Sequence, residues 1–191
     1  YRPDLVLCTG DTTEKPLHVH SEHLQPLLQM IHRIAVPIIF LQGTPSHEPY
    51  GFLNNLETAA GMVITVLDKP QVIIGPISGF ASKGEASDKE IAIAALPALN
   101  KPMLAKWAVD LGLGVEEPGE IIRSLMLWIA EQWKDFTGPK ILLGHWTVNG
   151  CATASGQTLY ASDMSIGLDD LALSKADAVL LGHIHKAQKW D

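Results

Sequence analysis

"DAVLLGHIHK", residues 177–186, sets an aliphatic run against two histidines. The run from Ala178 to Leu181 has the character of a strand buried in a sheet. Gly182 ends it, and His183 and His185 follow with one residue between them. A glycine there lets the backbone turn sharply and leaves room for a ligand or metal to approach. Three other apolar runs stop in the same manner. "DLVLCTGD" (4–11) ends in Gly10 and Asp11, and "VPIIFLQG" (36–43) leads into "TPSHE", which carries Ser46, His47 and Glu48. "KILLGH" (140–145) ends in Gly144 and His145.

Between these runs the helical signals alternate with further strands. "SEHLQPLLQMIHRIA" (21–35) puts Leu24, Leu27, Leu28 and Ile31 on one face, with Ser21 as the expected N-cap and Pro26 near the start. A short helix is expected around 51–60, strands at 62–67, 71–75 and 91–96, and an exposed polar loop at 78–90. Helices follow at 101–112 and 118–136, the second strongly amphipathic, and a short one at 168–174. Trp128 and Trp133 follow helical spacing and read as core or cover. Alternation of this kind over 191 residues, 47% of them hydrophobic, describes one α/β domain spanning 1–191.

Composition narrows the function classes. The chain carries a net charge of −7 and no dense Lys/Arg cluster, so it lacks the basic face of a dedicated nucleic-acid binder. Bound cations could still supply positive charge locally for phosphate chemistry. Two cysteines, Cys8 and Cys151, are too few for a disulfide framework and read as small buried thiols. No apolar run reaches membrane-spanning length and no signal-peptide pattern opens the chain, so a cytoplasmic protein is expected.

In open α/β sheets, ligand sites lie beyond the carboxyl ends of strands, so the residues that end the four runs can share one crevice. Taken singly, a Gly-Asp is a turn and a histidine after a strand is a surface residue. The recurrence at four strand ends favours a metal site. An Asp with several His suits Mn, Fe or Zn rather than Ca, and two such ions about 3.5–4 Å apart are the usual machinery for attack on a phosphoester. His18, His20 and His23 ("LHVHSEH") and His32 are expected to face solvent.

"PDLVLCTGDTTE", "GTPSHE", "ILLGHWTVNG" and "AVLLGHIHKAQ" together resemble, in order, the motifs of the calcineurin-like metallophosphoesterases. Their wording is most similar to the SbcD-type DNA-repair exonucleases, through "ALP" at 95–97, "HWTV" at 145–148 and the "GHIHK" ending. The resemblance implies a four-layer α/β/β/α sandwich and two divalent ions, Mn first with Fe or Zn as alternatives. It makes Asp11 the bridging ligand, gives His145 and His183 to the second metal, and gives His185 to the first. His47 would contact the scissile phosphate and protonate the leaving oxygen, with Glu48 holding it in place. The implied reaction is in-line attack of an activated water on a phosphodiester, with DNA as substrate. The implied partner is a coiled-coil ATPase subunit of the SbcC type, and a homodimer is admitted.

Two departures from that pattern stand out. The family's first motif, Asp-x-His, has no counterpart, so the first metal site keeps only Asp11 and His185. The chain is accordingly expected to be part of a longer one, lacking its first strand and its C-terminal strands and capping domain. The motif's asparagine is also replaced, with Ser46 before His47 as the expected weaker ligand. Two other functions stay open: a phosphoesterase acting on a small nucleotide or phosphomonoester, and a catalytically impaired scaffold module that docks an ATPase.

Overall fold

The computed structural model describes residues 3–17, 20–34, 36–49, 51–55, 64–80, 89–98, 100–154 and 164–190. In chain order its elements begin with β1 (Val6–Cys8), α1 (Leu24–Arg33), β2 (Ile38–Leu41), β3 (Thr65–Leu67) and β4 (Gln71–Pro76). A 3-10 turn at Ile77–Phe80 precedes β5 (Glu90–Leu96), α2 (Lys101–Asp110) and α3 (Pro118–Gln132). The order closes with β6 (Lys140–His145), β7 (Thr147–Val148), β8 (Ser165–Ile166), α4 (Leu168–Ala172) and β9 (Ala178–Gly182). This is a mixed α/β fold.

β1, β2 and β3 make one parallel sheet in that order, and a second sheet has the order β4-β5-β6-β9. In the second sheet only β4 runs antiparallel to its neighbour. β7 and β8 form a separate two-stranded parallel pair.

Side-chain alternation explains how these pieces pack. Ile38 and Phe40 of β2 join Ile31 of α1 in one core cluster, while Ile39 and Leu41 join Ile93, Ala95 and Leu143 of the second sheet in another. The opposite parity of β5, Ala92, Ala94 and Leu96, packs with Leu104 of α2 and with Ile121, Leu125 and Ile129 of α3. β2 and β5 are therefore covered on both faces, which is why they read as unbroken apolar runs. Each fully buried Leu or Ile contributes about 1.5–3 kcal/mol of transfer free energy.

Several boundaries differ from the sequence expectation. α1 starts at Leu24 with His23 as its N-cap and no side-chain cap hydrogen bond. Ser21 sits two residues before that cap, where its Oγ accepts from the His23 N–H at 3.4 Å instead. α3 ends at Gln132, with Trp133 buried beyond it and its Nε1–H donating to the Ser174 carbonyl at 2.8 Å. β3 begins at Thr65, and the expected strand residues 62–63 lie outside the described residues. Of the expected loop 78–90, Ser78–Phe80 belong to the 3-10 turn and Glu90 opens β5, while 81–88 lie outside the described residues. The expected helix at 51–60 is helical at 52–55, and 56–60 lie outside the description. No helix among the described residues is long and apolar enough to cross a membrane.

Candidate metal centre at the strand ends

β6 and β9 are parallel and paired so that His145 lies opposite Gly182. That register puts His183, the next residue, beside His145, with ring centroids 5.2 Å apart and the planes at 64°. β1 and β2 approach the same point from the other sheet, carrying Asp11 and Thr44 just past their ends. Ligand atoms of Asp11, His145 and His183 all lie within 4.8 Å of one another.

Glycines make this convergence sterically possible. A Cβ on Gly182 would collide with the Thr9 carbonyl oxygen and come within 2.9 Å of His145 Nδ1. One on Gly10, whose φ is +90°, would lie 2.5 Å from the same nitrogen. The ligands are strained as well. Asp11 has φ 51° and His183 has φ 86°, both in the left-handed region that costs a non-glycine residue about 1–3 kcal/mol. Such backbone persists where the surroundings over-determine it, as at ligand-holding sites.

The hydrogen bonds then fix the chemistry of each atom. His145 is 3% exposed, and its Nδ1 lies 2.7 Å from the Thr9 carbonyl oxygen. A carbonyl only accepts, so Nδ1 carries a proton, and Nε2 is the ring atom left to meet Asp11 or a cation. Nε2 faces Asp11 Oδ2 at 3.1 Å and Thr44 Oγ1 at 3.3 Å. The Thr44 N–H donates to Asp11 Oδ1 at 2.6 Å, and its hydroxyl donates to Oδ2 at 3.3 Å. Burial alone would raise the Asp11 carboxyl, but the His145 ring, the Thr44 N–H and His47 outweigh it and hold the group below its ordinary range. Asp11 is thus an ionised carboxylate whose Oδ2 shares a proton with His145 Nε2 at 3.1 Å, and a cation at that point can replace that proton.

The remaining candidates fall in different places. His47 is one-third exposed, with Nδ1 3.6 Å from Asp11 Oδ2. Glu48 is fully buried, and its carboxylate accepts from Gly43 N at 2.8 Å and from Thr12 N. It ties the loop after β1 to the loop after β2, and so supports the site from beneath. Ser46 is exposed on the wall of a cavity of about 270 Å³ that also borders His145 and His183. His185 is exposed and does not belong to the converging group. His20, His23 and His32 are exposed, as expected, and His18 lies outside the described residues.

Sequence reasoning missed Thr44. A threonine after a Gly at a strand end carries the same signal as any turn residue, and only the pairing of β1 with β2 brings it against Asp11. The chain matches no protein-family model, and no curated protein matches it.

Proposed function

We propose that this chain is the catalytic domain of a metal-dependent phosphoesterase, with the four-layer α/β/β/α arrangement of the calcineurin-like metallophosphoesterases and a phosphodiester as substrate. The observation that carries the reading is the meeting of Asp11 Oδ2, His145 Nε2 and His183 at the carboxyl ends of strands from two sheets. The layer arrangement is supported by the order of the core clusters: α1 on one sheet, the two sheets on each other, and α2 and α3 on the second sheet.

The donor set of one carboxylate and two imidazoles fits Mn, Fe or Zn. When bound, such an ion supplies positive charge to a phosphate and acidifies a water molecule. Asp11 and His145 are pre-aimed by Thr44 and Thr9, so little reorganisation accompanies binding. His47, partly exposed beside Asp11, is positioned to hand a proton to a leaving oxygen. A second ion sharing Asp11 needs further donors, since no second group of three His, Cys, Asp or Glu converges among the described residues. The finer proposal is a DNA-repair exonuclease of the SbcD type, working with a coiled-coil ATPase.

The alternative, a phosphoesterase for a small nucleotide or phosphomonoester, is favoured by the cavity wall. No Lys or Arg lines it among the described residues, and the chain is acidic overall. Calorimetric titration with MnCl2 tests the metal centre: the parent should bind and His183→Ala should not, and identical heats would sink the reading. Linear duplex DNA assayed beside bis(p-nitrophenyl) phosphate separates the substrates. Cleavage of the small ester alone would support the alternative.

A further inference from the structure

We propose that Thr44 is a direct ligand of this centre, its hydroxyl supplying the neutral oxygen donor beside Asp11, His145 and His183. The inference rests on the reading that those three residues hold a cation. Thr44 Oγ1 lies 3.3 Å from Asp11 Oδ2 and 3.3 Å from His145 Nε2, and those two atoms are 3.1 Å apart. An ion with donors about 2.1 Å away separates neighbouring donors by about 3.0 Å at right angles and about 3.4 Å at the tetrahedral angle. The three atoms therefore form a triangle with the edge lengths of one face of a coordination polyhedron.

Thr44 is held in that position by its backbone. Its N–H is bonded to Asp11 Oδ1, and it follows Gly43, where any side chain would run into the Asp11 backbone nitrogen. Its β-branched side chain has few rotamers, which limits where the hydroxyl can go. The hydroxyl keeps lone pairs for a cation while its proton is given to a neighbouring acceptor. Ser46, the hydroxyl the sequence suggested, sits two residues later on the exposed cavity wall.

The added oxygen has a measurable consequence. Zn is satisfied by three protein donors and one water. Mn suits oxygen donors and a higher coordination number. Removing the hydroxyl should therefore weaken Mn binding more than Zn binding, whereas a residue that merely orients Asp11 would weaken both alike.

The test is calorimetric titration of the 191-residue chain with MnCl2 and, separately, ZnCl2, for the parent, Thr44→Val, Thr44→Ser and His183→Ala. Every variant keeps the backbone N–H to Asp11. Thr44→Val should bind Mn about tenfold or more weaker with a smaller change for Zn, and Thr44→Ser should retain both affinities. Equal losses for the two ions, or no loss for Mn while His183→Ala loses binding, would overturn the role of Thr44 and leave the metal centre standing. Failure of the parent to bind either ion removes the centre itself. Should Thr44→Val lose its native circular dichroism, Thr44→Asn replaces it, offering an amide oxygen. A folded Asn variant must still bind Mn, and loss of binding there overturns the proposal.

Discussion

His145 Nε2 stands 3.1 Å from Asp11 Oδ2, across the seam where the end of a strand in one sheet meets the end of a strand in the other. The two sheets also share a core of buried aliphatic side chains, and this contact adds a polar link at their strand ends. The His145 ring is oriented from behind, because its Nδ1–H donates to the Thr9 carbonyl at 2.7 Å. A cation at this seam should lock the sheets together. Mn at 100 times its dissociation constant should stabilise the fold by about 2.7 kcal/mol. Asp11→Asn, which removes the charge, should abolish that gain. Thermal melts with and without MnCl2 check it, and an equal shift in both proteins would contradict the assignment.

Gly182→Ala should separate folding from ligand geometry. Its Cβ would meet the Thr9 carbonyl oxygen and His145 Nδ1, so β9 must move away from the seam. The expected outcome is a loss of about 1–3 kcal/mol from overpacking, together with loss of metal binding. Gly119→Ala, where a Cβ meets nothing within 4 Å, is the control and should bind metal like the parent. Denaturant melts and metal titration of both variants give the comparison.

Glu48 and His47 are neighbours in sequence with opposite assignments, and substitution should show it. Glu48→Gln turns a carboxylate that accepts from two backbone N–H groups into an amide, one end of which must face a donor. Loss of about 1.5–3 kcal/mol of stability is expected, the scale of a charge-assisted hydrogen bond. His47→Ala, at a partly exposed side chain, should melt near the parent temperature while lowering phosphodiester turnover. A Glu48→Gln protein as stable as the parent would contradict this loop-tying role and favour the His47-holding role that the resemblance implies.

The strands were legible because their physics is local. A run such as Ile38–Leu41 is buried at every position, so it is aliphatic at every position. The glycines before Asp11 and His183 were legible for the same reason, since close approach leaves no room for a Cβ. What pairing decides was not legible. Thr44 gains its role from lying across from Asp11, and β7 and β8 are too short, at two residues each, to leave a periodic signal. Glu48 reads as a partner of His47 by adjacency, yet its burial turns it toward backbone N–H groups. His185 shares the spacing of His183, yet His183 is part-buried with a left-handed backbone while His185 is exposed, a difference the spacing does not carry.

Cys8 gives the fold a pH limit on the alkaline side. Burial raises its thiol above the ordinary value of 9.0, and the Glu48 and Asp11 carboxylates add to the shift, against hydrogen bonds to Thr12 and the Gly10 backbone. The folded chain therefore keeps its proton at a pH where the unfolded chain releases it. Between those two values the native state binds more protons, so stability falls as pH rises. This contribution is fully present below the unfolded value and is lost as pH climbs through the folded one. Cys8→Ala has no thiol to titrate, so its stability should decline less over that window than the parent's. Denaturant melts at pH 7 and at steps above 9 measure the difference, and parallel curves for the two proteins would show that the thiol does not set the limit.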